Sequence, residues 1–302
     1  MTRALVVGGV AFNTMIQLDR FPEPRSQTVF SRGYHETVGE TGAGKAMNLR
    51  KLGFDVTLHG LVGEDMYGRR IEERLQQEGV HFLRDIDPRG TERHVNLMDA
   101  EGGRVSIYMA YATFEPQLDL GRLEALIPSH DYVVLNIINY ARRLIPAVKR
   151  AGKELWCDIH DFDGRNEYHR DFIEAADCLF MSSDAMRDYR PFMEHLVSRG
   201  KKLVVCTHGR NGSTALTSDG RWLETPIVPG YTVRDTNGAG DAFFAGFLFG
   251  HARLYPLVQC LRLASIVGGL CVTSEELAAP ALSPEFLEAE YRRHFGSLAP
   301  AE

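Results

Sequence analysis

Residues 235–250 read DTNGAGDAFFAGFLFG, and they hold the chain's clearest chemical signal. Asn237-Gly238 is a turn signal. Gly238, Ala239 and Gly240 have almost no side chains, so backbone can approach a ligand closely. Beyond them Phe243, Phe244, Phe247 and Leu248 recur at helical spacing and are expected to bury one face of a helix. The triplet then opens that helix. Its unbonded N–H groups and the positive end of the helix dipole make an anion site out of backbone. Asp241 follows in the first turn. Beside an anion, a carboxylate suits phosphoryl transfer: it accepts the proton of an attacking hydroxyl while the amides hold the migrating phosphate. The plain alternative is that Asp241 only complements the helix N-terminus. Asp235, six residues upstream with the triplet between, favours the chemical reading.

A second glycine-rich stretch, GETGAGKAMN at 39–48, begins as G-x-x-x-x-G-K. A phosphate-binding P-loop would place Ser or Thr next, to hold Mg²⁺ by its hydroxyl. Ala46 stands there instead. The stretch is therefore not expected to be a P-loop but a glycine-rich entry into a helix, with Lys45 facing solvent early in that helix. A third cluster, CDIHDFDG at 157–164, packs Asp158, His160, Asp161 and Asp163 together. It could mimic a metal site, but the end of a core strand favours a polar loop lining a cleft.

These residues need a scaffold. Short apolar runs at 4–9, 56–63, 132–137, 154–159, 178–182 and 203–208 read as strands. Amphipathic stretches at 43–53, 67–79, 141–152, 169–176 and 185–199 read as helices, and 239–296 looks helical. Strands alternating with helices imply a mostly parallel sheet covered on both faces. Residues 10–38 and 91–112 break this rhythm with β-prone sequence, the second reading as a hairpin turning at Glu101-Gly102-Gly103. They are expected to join as a small lid, since β excursions from an α/β core often cover a ligand site. Arg93 and Arg104 in the second segment are either solvated charges or a reach toward an anionic ligand. Tyr108, Met109 and Tyr111 read as lid packing. No repeat or linker divides the 302 residues, so a single domain is expected.

Bulk properties narrow the classes. Hydrophobic residues make up 44% and charged residues 25%, ordinary for a globular protein. The net charge of −6 argues against nucleic-acid or anionic-membrane partners. No apolar run approaches the ~20 residues that span a bilayer, and the N-terminus lacks the form of a signal peptide. Cys157, Cys178, Cys206, Cys260 and Cys271 are scattered in mostly apolar runs and read as reduced core residues of a cytoplasmic protein.

DTNGAGD resembles the C-terminal signature of the PfkB (ribokinase-like) family of sugar and nucleoside kinases. VVGGVAFNTMIQLDRFPEP resembles that family's first strand and entry into its lid. LGFDVTLHGLVGEDMYGRRIEERLQQEGV at 52–80 and THGRNG at 207–212 are similar to further family elements. The resemblance implies a ribokinase-like three-layer α/β/α core with a β-sheet lid, and an ATP- and Mg²⁺-dependent kinase for a hydroxyl of a sugar or nucleoside. It implies Asp241 as catalytic base and Gly238, Ala239 and Gly240 as anion hole. Thr207, Gly209 and Gly212 would lie near ATP. Asp235 and Asn237 stand where many members bind a monovalent cation such as K⁺. Asn13, Gly39 and Glu40 fall on the substrate side, with Arg104 as a further candidate there. Homodimers joined lid to lid are common in the family.

The sequence also departs from that pattern. The substrate loop usually shows Gly-Gly, with Asn four residues after the second Gly; here they are Gly39-Glu40 and Gly44. Asn13 replaces the usual Asp. Glu40 could bond hydroxyls, select a cationic or polar substituent, or turn outward. An Asn-x-x-Glu element that organises Mg²⁺ should follow the strand CLFM, but SSDAM stands there, leaving Ser182, Ser183 and Asp184, or waters, to serve. TSEELAAP at 273–280 lacks the Gly-Ala pair that shapes the cation loop, which speaks against cation activation. A nucleoside kinase and a catalytically silent sugar or nucleotide sensor remain alternative readings.

Overall fold

The computed structural model describes residues 1–299. In chain order its strands are β1 (Arg3–Val7), β2 (Ala11–Gln17), β3 (Gly33–Gly39), β4 (Asp55–Val62), β5 (His81–Ile86), β6 (Arg93–Met98), β7 (Arg104–Ala110), β8 (Tyr132–Leu135), β9 (Leu155–Asp158), β10 (Cys178–Ser182), β11 (Leu203–Thr207), β12 (Ser213–Thr217) and β13 (Trp222–Thr225). The helices are α1 (Thr41–Lys51), α2 (Met66–Gln77), α3 (Leu120–Glu124), α4 (Ile145–Arg150), α5 (Arg170–Ala175), α6 (Tyr189–Ser198), α7 (Ala239–Ala252), α8 (Leu257–Cys271) and α9 (Pro284–Phe295).

The main sheet runs β13-β12-β11-β10-β9-β8-β1-β4-β5. Every pair from β5 to β11 is parallel; β12 and β13 add an antiparallel edge. Successive side chains on a strand point to opposite faces, and the core divides on that alternation. Ala4 and Val6 join Trp156, Phe180 and Val205 under α1, α2, α7, α8 and α9. Leu5 and Val7 join Cys157, Leu179 and Val204 under α3, α4, α5 and α6. Both faces are thus covered, which gives the three layers expected from near-continuous apolar strands. The six strands read from sequence are present. Three more were missed. β5 is a half-exposed edge with polar alternation, and β12 and β13 are short and rich in Ser and Thr.

The lid is a separate four-stranded sheet ordered β3-β2-β6-β7. All four strands lie within the two β-prone segments, save that β3 runs one residue past the first. Glu101, Gly102 and Gly103 make the turn between β6 and β7, and Gly102 takes a φ of 84° that favours glycine. Among the described residues, no helix is long and apolar enough to cross a membrane.

Helix α7 differs from its expected one-sided burial: every residue from Asp241 to Gly250 is buried. Gly246 and Gly250 open its second side to α8. A Cβ at Gly246 would lie 2.8 Å from Val267 and one at Gly250 3.0 Å from Cys260, so the two helices pack backbone to backbone. This seats the N-terminus of α7 rigidly at the edge of the main sheet's C-terminal strand ends.

Candidate active site

A cleft of about 630 Å³ lies between the C-terminal ends of the parallel strands and the lid. Ligands in open parallel sheets bind at that end. Gly238 sits at the N-cap of α7 with φ 79°, and a Cβ there would meet Leu277 at 3.0 Å. A Cβ at Gly240 would meet nothing within 4 Å. Gly238, Ala239, Gly240 and Asp241 all line the cleft. The Ala239 N–H donates to Thr236 O at 3.3 Å, and the first turn of α7 presents the Gly240 amide to an open space large enough for a phosphate.

The Asp241 side chain is held from behind. Its Oδ1 accepts a hydrogen bond from Lys45 Nζ at 2.5 Å. The same ammonium donates to Asp158 Oδ2 at 3.0 Å and lies 5.2 Å from the centre of the Phe244 ring. Lys45 is fully buried, so the expectation that it faces solvent is wrong. The glycines of GETGAGKA explain why. A Cβ at Gly42 would lie 2.6 Å from Gly9 O, and one at Gly44 would lie 2.5 Å from Asp241 Oδ2. Without side chains at 42 and 44, α1 packs against the end of β1 and the start of α7. Lys45 is then driven between the sheet and α7, where two carboxylates meet it. Asp241 is in an ion pair, yet it still faces the cleft.

The three charges are not equivalent. Burial alone would lower the Lys45 ammonium, but Asp158 and Asp241 reverse this and hold it above its ordinary range. Burial would likewise raise Asp158, yet His160 and Lys45 hold it well below the usual carboxylate range, helped by the His160 N–H donating to its Oδ1 at 2.9 Å. Burial does raise Asp241, against the pull of Lys45. Two carboxylates with pKa values pushed apart mark different roles. Asp158 is the stronger acid of the two and keeps Lys45 charged, while burial leaves Asp241 the more basic carboxylate. The cluster at 157–164 thus lines the cleft through Asp158, His160 and Asp161, as its position at a strand end implied.

The other expected residues divide between front and back. Asn13, Glu40 and Asn237 line the cleft, and so does Arg104, whose Nη1 reaches from the lid to Asn237 Oδ1 at 2.7 Å. Gly39 does not line it. It stands behind Asn13, where any Cβ would overlap the carboxamide, at 2.0 Å from Nδ2. Asp235 is buried and its carboxylate caps the Asn237 amide at 2.7 Å. Thr207, Gly209 and Gly212 lie at and beyond the end of β11, outside this cleft. Their neighbours Asn211 and Ser213 line an adjacent groove of about 600 Å³ with Ser183 and His208. Ser183 Oγ is bonded to His208 Nδ1 at 2.9 Å. Sequence reasoning missed Glu92, His94 and Asn96, which also line the cleft; only the alternation of β6 hints that 94 and 96 share a face.

The profile of pfkB family carbohydrate kinases matches residues 1–165 and 171–284. The chain belongs to this family. Among curated relatives of this pfkB chain, the acarbose 7(IV)-phosphotransferase of Actinoplanes sp. is 29% identical over 285 residues, covering 93% of this chain and 95% of that protein. Fructoselysine 6-kinase of Escherichia coli is 28% identical over 207 residues, covering 66% of this chain and 76% of that one. Among solved structures, a microbiome-derived acarbose kinase superposes with a TM-score of 0.85 at 29% identity, covering 95% of this chain and 98% of its own. The pfkB chain is thus a member of a family of phosphotransferases that act on sugar hydroxyls, built on the ribokinase-like fold.

Proposed function

We propose that this pfkB kinase transfers the γ-phosphate of ATP to a hydroxyl of a sugar or sugar derivative, with Asp241 as base. One observation carries the assignment: Asp241, a carboxylate whose pKa burial raises, lies in the first turn of α7, beside the open space at Gly240. The acceptor hydroxyl gives its proton to Asp241 as its oxygen bonds to the γ-phosphorus. The bond from that phosphorus to the bridging oxygen breaks, leaving ADP. The amides of Gly238, Ala239 and Gly240 take the charge that spreads over the transferring group. Lys45 holds Asp241 in one rotamer and stays an ammonium throughout. The lid excludes water, a competing acceptor. The fructoselysine and acarbose kinases among its relatives support a sugar derivative as acceptor.

ATP would extend from the amide end toward the groove beside Thr207, Gly209 and Gly212. Mg²⁺ supplies charge neutralisation on the nucleotide phosphates. Ser182, Ser183 and Asp184 offer it little: Ser183 is bonded to His208, and Asp184 has an exposed side chain. Phosphate oxygens and water would then supply most of its ligands. The donors at Asp235 and Asn237 fit K⁺ poorly, because each already accepts a hydrogen bond, from Asn237 N and from Arg104. The Arg104 guanidinium brings a fixed positive charge to that place.

Ile16, Tyr34, Leu97, Val105 and Ile107 fall on the lid face turned away from the cleft, and Tyr34, Val105 and Ile107 are exposed. Such a face supports a homodimer joined lid to lid, checked by sedimentation of the wild type against Val105→Lys/Ile107→Lys. Five buried free cysteines suit a reducing compartment such as the cytoplasm. The kinase assignment is tested by ADP release with hexoses, pentoses, sugar derivatives and nucleosides. Turnover with a sugar is the expected result. Turnover confined to nucleosides would move the acceptor class, and no ADP release with any of them would reject catalysis.

A further inference from the structure

We propose that the acceptor sugar carries a protonated amino group, held by Glu40 and Glu92 at the lid wall of the cleft. This inference rests on the sugar-kinase reading above and names the substrate class of that site.

The strand register places Asn13 beside His94, His94 beside Tyr108, and Asn96 beside Ser106 on the lid face toward the cleft. Around them stand two carboxylates. Glu92 Oε1 is 2.8 Å from His94 Nε2, and Glu40 Oε1 is 3.8 Å from His94 Nδ1. Tyr108 donates to Glu40 Oε1 at 3.3 Å and lies against the His94 ring, centroids 3.8 Å apart. One atom from each of Glu40, Glu92 and His94 falls within 4.8 Å of the others.

Charge is the unusual feature here. Among the described residues, neither Glu40 nor Glu92 pairs with a lysine or arginine. Asp158 and Asp241 on the facing wall share Lys45, and Arg104 is turned to Asn237. A single imidazole between two carboxylates can neutralise at most one of them. A second observation points to a ligand at the same wall. Asn96 Nδ2 and Asn13 Oδ1 are buried without a hydrogen-bond partner, on residues that are 2% and 3% exposed and line the cleft. Natural proteins leave few such groups unsatisfied. Glu40 itself has a φ of 74°, in the left-handed region that a non-glycine residue rarely adopts, and strain of this kind gathers at ligand sites.

A neutral hydroxyl can donate to a carboxylate but leaves its charge uncompensated in a closing, water-poor cleft. An ammonium supplies the donors and the charge together. Glu40 caps α1, and Gly44 one turn later touches Asp241, about 6 Å along the helix axis. An acceptor with its reacting hydroxyl at Asp241 would bring a substituent on the far side of the ring to Glu40.

The test compares sugars that differ only in an amine replacing a hydroxyl: fructose with 1-amino-1-deoxyfructose, glucose with glucosamine, and disaccharide pairs likewise. ADP release gives kcat/KM, and calorimetry with a non-hydrolysable ATP analogue gives binding. At least one amine is expected to exceed its twin by tenfold or more. Glu92→Gln and Glu40→Gln should each contract that ratio toward one, and raised salt should weaken it. Equal or better use of the neutral twin in every pair would overturn the proposal, whether or not the kinase reading stands. If no sugar is phosphorylated, the kinase reading fails, and calorimetric preference for the amine still decides this one. Stoichiometric Zn²⁺ binding abolished by His94→Ala would give the cluster to a metal and also overturn it.

Discussion

Lys45 Nζ lies 2.5 Å from Asp241 Oδ1, with both side chains out of solvent and the ammonium shared with Asp158. The arrangement carries one net negative charge, which becomes zero when Asp241 takes a proton. Lys45 both tempers the basicity of Asp241 and fixes its direction. Replacing it with Met should leave two buried carboxylates facing each other without a cation. Loss of one member of a buried ion pair costs about 3–5 kcal/mol. Urea unfolding should report a loss of this order for Lys45→Met, with activity falling by more than tenfold. Unchanged stability would mean that solvent already reaches the triad.

Asp241→Asn tests the base directly. The carboxamide keeps the shape of the side chain and its contact with Lys45 but cannot accept the hydroxyl proton. General-base removal typically costs about 10²–10⁴ in rate. We expect kcat to fall by that range while the dissociation constant for a non-hydrolysable ATP analogue changes by less than about threefold. A turnover number near that of the wild type would reject the role of Asp241.

The acid side of the pH profile should show two separate events. Asp241 must be unprotonated to act, and burial raises its pKa above the ordinary 3.8. Activity should therefore fall at a higher pH than an exposed aspartate would set. Protonating Asp241 does not unfold the chain: a carboxyl with a raised folded pKa binds protons more tightly when folded, so its linkage favours the native state as pH drops. Asp158 has the opposite sign. Its pKa is depressed, so its contribution is present above the unfolded value and is lost only as pH falls through the lower folded one. Acid inactivation should thus precede unfolding and reverse on neutralisation, measured by activity and circular dichroism on the same samples. Coincident loss of both signals would contradict this ordering.

How much of this was legible beforehand follows from where the information sits. DTNGAGD is local: the turn, the small residues and the carboxylate are adjacent in sequence, so the turn and the helix it opens were legible. The alternation of strands and helices is also local, and it yielded the layers and the lid. Lys45 was misread because its burial depends on glycines 42 and 44 meeting backbone and side chain from β1 and α7, partners 33 or more residues away. An amphipathic pattern shows which residues are polar, not that two distant acids wait for one of them. The wall made by Glu40, Glu92 and His94 was invisible for the same reason, since β2 and β6 pair in parallel across a long excursion. The reason Gly39 must be glycine also lies across the fold, since a Cβ there would overlap the Asn13 carboxamide.

Two glycines at this site should respond in opposite ways, and the contrast separates packing from ligand space. A Cβ at Gly44 would fall 2.5 Å from Asp241 Oδ2, whereas one at Gly240 would meet nothing within 4 Å. Ala in place of Gly inside a helix normally gains about 1 kcal/mol. At Gly44 that gain is set against a clash with the one side chain whose position matters most, so Gly44→Ala should cut kcat by more than tenfold with a small change in melting temperature. Gly240→Val has room in the empty protein but fills the space in front of the amides that would receive the phosphate. It should fold normally and raise the KM for ATP by about tenfold or more, while sugar binding measured without nucleotide stays near that of the wild type. If Gly240→Val instead bound ATP normally, the migrating phosphate would have to sit elsewhere than on the first turn of α7.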